Sequence, residues 1–310
     1  MSERSFNSIK NQDDFIDFKK LFTICLKEKF FILIFTLFGA IGTVFYALSL
    51  PNIYQSSALL APSTSNQSLS NQLASFSSIA SMAGINIPNS EASKSQEAIK
   101  RIQSLEFFSN HFLPNIKVQD LIAAKDWLSD NDIVIYDENL FDSSTEKWKS
   151  SKSSQPSAQD AYKVYIKHLN IAEDLKTSFI TVSMKHYSPN VAKEWLELII
   201  ESINESIRDA DKEVALNSVE YLRNYLAATN IQSMKDSVSS LLESQMQTLM
   251  IASSSKDYVF KIIDPPFVPE QKSEPSRAII CILGTILFFF IASFGVIFRE
   301  FYNQSKTQDL

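Results

Sequence analysis

Asp209 with Asp211, and Glu194 with Glu197, are carboxylate pairs whose spacing could serve general acid and base chemistry of the kind that cleaves glycosidic bonds. Both pairs fall in a stretch of helical apolar spacing, where acids on the outer face are ordinarily solvated charge. His111, His168 and His186 share no short spacing and have no cysteine beside them, so a zinc site is not expected. A phosphate-cradling loop needs several glycines close together, and of the five present only Gly84 lies outside two long apolar segments. No Walker motif is possible, which excludes an attached nucleotide-driven kinase, and no G-x-S-x-G occurs. Trp127, Trp148 and Trp195 could offer sugar-stacking faces, but Trp195 sits on an apolar stripe and packing is its expected job. The expectation is a non-enzymatic chain with no catalytic residues, no metal and no cofactor.

The elements that must carry these residues begin with two apolar runs. Phe30 to Leu50 and Ala278 to Phe298 hold no charged residue, and each matches the ~20 residues a helix needs to cross a bilayer. A cleaved signal ending at Ala47-Leu48-Ser49 is the alternative for the first, but it begins too deep in the chain and its apolar core is too long. Lys19, Lys20, Lys27 and Lys29 precede it, whereas no Lys or Arg occurs from Pro51 to Ser93, which places both termini in the cytoplasm. Residues 51–277 carry 21 basic and 28 acidic groups of a chain with net charge −6, which gives no reason to expect nucleic acid as a partner. Cys25 and Cys281 flank opposite membrane faces and cannot bridge. Phe15 to Phe22 alternates charge and apolar groups and reads as an interfacial helix or a plain extension of the anchor. Gly39 and Gly42, and Gly284 and Gly295, lie within the spans without GxxxG spacing.

Between the spans, Tyr54–Leu60, His168–Glu173, Phe179–Lys185 and Tyr258–Asp264 read as strands. Helical patterning is expected over Glu97–Phe112, Gln119–Leu128 and Ser157–His168, with Ser157 as cap, and over a short helix within the Ser-rich stretch 63–95 that ends near Gly84. Asp142 to Pro156 suits an exposed loop. The dominant stretch is Asn190 to Ile263, free of Gly and Pro, in which Leu196, Ile199, Ile203, Ile207, Ala210, Val214, Val219, Leu222, Leu226, Met234, Val238 and Leu241 recur at steps of three and four. Ser188-Pro189 supplies a favoured start. A single straight helix to Ser253 would approach ~95 Å, yet both flanks lead quickly to a span, so the chain must climb and return. The reversal is expected at Ala227 to Ile231, with Thr229 and Gln232 at capping-box spacing. The fold class is therefore α+β: two transmembrane helices flanking a periplasmic domain with a small α/β base and a long protruding α-helical hairpin. In residue terms, 1–29 is a cytoplasmic segment, 30–50 the first span, 51–277 the periplasmic domain, 278–298 the second span and 299–310 a cytoplasmic tail. Within the domain, 51–188 and 254–264 form the base, 189–253 the arms and 265–277 a proline-rich neck.

Several segments in this order resemble the Wzz-type chain-length determinants, or polysaccharide co-polymerases, of Gram-negative inner membranes. They are Leu50-Pro51-Asn52-Ile53-Tyr54, Ala83-Gly84-Ile85, and Ser188-Pro189 with Ala192 and Trp195. Asn204 with Arg208, Leu242-Glu243-Ser244-Gln245, Leu249-Met250-Ile251-Ala252, Tyr258 to Pro265, and Val268-Pro269-Glu270 with Pro275 and Arg277 complete the set. The resemblance implies a multi-pass inner-membrane protein that regulates the chain length of O-antigen lipopolysaccharide or a related surface polysaccharide. It implies a ring-shaped homo-oligomer scaffolding a Wzy-type polymerase, in contact with membrane lipid and with the growing glycan as a further candidate partner. Pro265, Pro269, Pro275 and Arg277 carry over as structural coupling residues of the neck, and Trp195, Ile203, Leu222 and Leu241 are the expected packing positions of the arms. The alternative from another class is a two-span sensor acting through a separate signalling partner, because the tail after Arg299 is too short for an output module.

Overall fold

The computed structural model describes residues 26–63, 90–149, 155–228 and 231–308. In chain order its elements are α1 (Lys29–Ser49), β1 (Tyr54–Pro62), α2 (Ser90–Ile102), α3 (Leu105–Phe107), α4 (Val118–Ile122), β2 (Ala124–Leu128), β3 (Ile133–Tyr136), β4 (Phe141–Asp142) and β5 (Lys147–Trp148). There follow α5 (Ala158–His168), β6 (Leu169–Glu173), β7 (Ile180–His186), α6 (Pro189–Ala228), α7 (Gln232–Ser254), β8 (Phe260–Asp264) and α8 (Arg277–Gln308). The chain divides into two compact units, Pro51–Glu274 on the one hand and Met1–Leu50 with Pro275–Leu310 on the other.

In the larger unit all four expected strands join one antiparallel sheet of order β6-β7-β1-β8. β1 is central because Ala58 and Leu60 point inward, with Ile180, Val182 and Met184 of β7 beside them, all essentially inaccessible. The lower half of α6 lies on this sheet through Trp195, Leu196, Ile199, Ile203 and Ile207, and Phe107, Phe108, Phe112 and Tyr165 fill the remaining core. Phe112 makes edge-on contact with Trp195, and its ring centre lies 4.8 Å from that of Tyr165. Tyr165, fully buried, donates its hydroxyl hydrogen to the Ile102 carbonyl at 3.0 Å, so its polar end is satisfied. The two ends of the unit are joined: Ile53 N donates to Glu274 O at 2.9 Å and Glu274 N returns to Ile53 O at 3.2 Å.

Above the core α6 continues to 40 residues, ~60 Å of rise, and α7 packs back along it through Ala215, Val219, Val238 and Ala252. The α+β class and the helical hairpin are as the sequence implies. The capping box is not: α7 begins at Gln232 with Ile231 in the cap position and no side-chain cap, and Gln232 bonds forward to Asp236 instead. Thr229 lies outside the described residues, as do the expected interfacial helix at Phe15–Phe22, Cys25 and the stretch around Gly84.

Three further expectations are corrected. The helix over Glu97–Phe112 starts earlier, at Ser90, and breaks after Ile102, because the Ser104 hydroxyl accepts from Phe107 N and starts a new turn. The helix over Gln119–Leu128 stops at Ile122, and the rest forms strand β2 on the β-branched run Ile133-Val134-Ile135 of β3. The Asp142–Pro156 loop contains half of a small hairpin, β4 with β5, in which Trp148 packs edge-on against buried Phe141.

Candidate functional site

The foot of the helical hairpin carries a cluster of polar contacts. Asn is a weak helix former because its side chain competes for backbone bonds, and Asn204 sits mid-helix in α6 for a reason visible in space. Its Oδ1 accepts from Val259 N at 2.8 Å and Phe260 N at 2.9 Å, while its Nδ2 donates to Phe260 O and Ile200 O, both at 3.2 Å. An amide offers two donor and two acceptor positions, and all are used here. The helix is thereby tied to the start of β8.

About two turns higher, Asp211 of α6 receives two groups on the same oxygen: Lys94 Nζ of α2 at 2.7 Å and the Tyr258 hydroxyl at 2.7 Å. The Lys94 ammonium also lies 5.2 Å from the Tyr258 ring centre. Burial, then the bond to Asp211, pushes the Tyr258 hydroxyl well above its ordinary range, so it stays a donor. Asp211, read from the sequence as solvated charge, is instead the junction of three segments. Asp209 pairs only with its neighbour Arg208, and Glu197 with Lys193 one turn away on the same helix, as outer-face acids do. Beside the Asn204 clasp lies a groove of about 290 Å³ lined by Glu201, Arg208, Lys256, Ile262 and Pro266. Among the described residues no group of three His, Cys, Asp or Glu is placed to hold a metal.

The histidines are structural. His186 is buried; Ser188 N donates to its Nδ1 at 2.9 Å, so Nε2 carries the hydrogen and donates to Asp120 O at 2.9 Å. Burial depresses its pKa below the ordinary 6.5, and the same cause acts on His168, whose Nδ1 meets Lys185 O. Trp127 is held edge-on to Tyr54 and donates to Asp132.

Of the residues expected to pack the arms, Trp195 and Ile203 are buried, but in the core on the sheet. Leu222 is half-buried in a groove with Met234 and Val238. Leu241 is 55% exposed, and Val214 on the same expected stripe is 64% exposed, so neither packs within one chain. In the neck, Pro265 is exposed, whereas Pro266 and Pro269 are buried and the Ser56 hydroxyl bonds to Phe267 O at 2.8 Å.

In the smaller unit α1 and α8 are long and apolar enough to cross a membrane. They pack together where side chains are small. A Cβ on Gly39 would lie 2.2 Å from Phe288, and one on Gly284 would lie 2.2 Å from Thr43, whereas Gly42 and Gly295 face open space. Pro275 is half-buried. Arg277, at the start of α8, donates from Nε to Ala47 O at 3.0 Å and from Nη2 to Leu50 O at 3.3 Å.

Solved structures similar to the chain include two polysaccharide co-polymerases. One, described as a full-length bacterial polysaccharide co-polymerase, is 13% identical with a TM-score of 0.39, covering 94% of this chain and 99% of that one. The other, a fragment of the polysaccharide co-polymerase WzzB from Salmonella Typhimurium, is 15% identical with a TM-score of 0.29, covering 72% of this chain and all of that one. No curated protein sequence matches. Residues 14–111, which include α1, β1 and α2, match the family model Wzz, described as chain length determinant protein, and the resemblance read from the sequence is borne out over that segment.

Proposed function

We propose that this chain is a polysaccharide co-polymerase that regulates the chain length of O-antigen lipopolysaccharide or a related surface polysaccharide without catalysing a reaction itself. The observation that carries this reading is the chain length determinant match over residues 14–111. Two candidate membrane helices flanking a unit with a long helical hairpin agree with it. The partition proposed is that of the sequence: an inner-membrane protein with both termini cytoplasmic and residues 51–277 in the periplasm. The proposed partners are further copies of the chain in a ring and a Wzy-type polymerase, with the glycan passing beside them. Exposed apolar residues on the arms, among them Val214, Tyr221, Leu241 and Met250, support contact with a second copy. Pro265, Pro269, Pro275 and Arg277 are proposed to couple the outer domain to the spans. Deletion of the gene, with gel analysis of surface polysaccharide, tests the role: the modal length should collapse to a broad distribution and return on complementation. An unchanged distribution in an organism that makes such a polymer rejects it.

A further inference from the structure

The end of α1 lacks the usual left-handed cap. A helix C-terminus leaves its last carbonyls without intrahelical partners, and the usual remedy takes N–H groups from the residues just beyond the end, with one residue in the left-handed region. Here Leu50 is extended, with φ −76° and ψ 134°, and the next residue, Pro51, has no N–H to give. The Ser49 hydroxyl serves the Tyr46 carbonyl at 2.8 Å, and the two donors of Arg277 serve Ala47 and Leu50. Arg277 is also placed against its own helix: a cation in the first turn meets the positive end of the macrodipole of α8, whereas the end of α1 presents the negative one. Its charge is favourable toward the end of the neighbouring helix. The contacts further along, Gly284 on Thr43 and Gly39 under Phe288, lie on the same seam and fix the height at which the guanidinium arrives.

We propose that Arg277 is a positioning residue that closes α1 onto α8 by capping the last carbonyls of α1, and that this closure sets the polysaccharide length the assembly selects. The second half rests on the function proposed above; the first does not. Nε and Nη2 reach two different carbonyls at once, so the planar fork, and not the charge alone, makes the junction. Arg277→Met keeps the apolar stem and removes every donor, and Arg277→Lys keeps the charge but loses the fork.

The test uses the full-length protein in its membrane, with Cys25→Ser and Cys281→Ser, and cysteines introduced at Leu48 and Ile279, both exposed on their helices and so open to a flexible bis-maleimide. Bis-maleimide cross-linking reads the closure, and polysaccharide length on gels reads the output at matched protein level. Arg277→Met should lower the cross-linking rate about tenfold, the size expected from losing a charge-assisted hydrogen bond, and shift or broaden the length distribution. Arg277→Lys should fall between it and the parent in both readouts. Parent-like cross-linking in Arg277→Met overturns the closure, and a Lys variant indistinguishable from the parent overturns the need for the planar fork. Altered cross-linking with parental lengths overturns the length-setting half. If gene deletion itself leaves the lengths unchanged, the functional reading fails while the cross-linking result still decides the closure.

Discussion

Replacing Asn204 with alanine should loosen the foot of the helical hairpin more than any surface change on it. The substitution leaves Val259 N–H and Phe260 N–H, both buried, without their acceptor. Each orphaned donor costs about 1–3 kcal/mol, and with partial relaxation the sum is about 2–4 kcal/mol. For a unit the size of Pro51–Glu274, each kcal/mol moves the midpoint by about 2–4 °C, which gives a fall of about 5–15 °C. Thermal unfolding of the full chain in detergent, followed by the fluorescence of buried Trp195, measures it. Asn204→Asp sharpens the test. A carboxylate keeps the acceptor for both N–H groups but sets its second oxygen against the Ile200 and Phe260 carbonyls, which must then face it without a hydrogen. Protonation restores one donor, so the folded-state pKa of this Asp is raised. The variant should approach the parent at low pH and lose ground as pH rises from the ordinary Asp value of about 3.9. A midpoint for Asn204→Ala within about 2 °C of the parent would refute the reasoning, because two buried donors cannot be abandoned so cheaply.

Gly39→Leu and Gly284→Leu should part the two spans and lower cross-linking between them, whereas Gly42→Leu, facing open space, should not. His186 and His168 are held neutral, chiefly by burial, with pKa below 6.5. Their contribution is complete above about pH 6.5 and is lost as pH falls through the depressed folded value, so the unfolding midpoint should drop as pH falls below about 6.5, and His186→Gln should flatten that slope. Lys94→Met should release α2 from α6, read as faster amide hydrogen exchange across Ser95–Ile102. The cost should be about 1 kcal/mol or less, since Asp211 retains Tyr258 and the pair is partly exposed.

The sheet strands, both spans and the start of α6 were legible because each rests on a local signal: alternation in Ile180–His186, an uncharged run in Phe30–Leu50, the Ser188-Pro189 cap. The three hairpins were not read as such. Turns between paired strands usually advertise themselves with Gly or Asn-Gly, which tolerate positive φ. Here the left-handed positions belong to Asp132, Glu146 and Ser178, with φ of 53°, 52° and 58°. Asp174 steadies the last of these turns, its carboxylate accepting from Lys176 N and the Thr177 hydroxyl. Nothing in those residue types announces a hairpin, and the apolar residues of Ala124–Leu128 also fit helical spacing.

The polar junctions were hidden for a different reason. Asn204, His186 and Arg277 each use a side chain to satisfy backbone groups of a segment far away in the chain: Val259 and Phe260, Asp120, and Ala47 with Leu50. In sequence such residues look like interruptions of an apolar pattern or like flanking charge. Their use depends on which backbone groups another element leaves unpaired, and that is decided by how β8 begins and by the proline after Leu50. The same logic separates Asp211 from Asp209 two residues away: only the former meets Lys94 and Tyr258, because only that face of α6 turns toward α2 and the start of β8. Residue type therefore marks where a junction is possible, and the unpaired groups of the neighbouring element decide which of them is made.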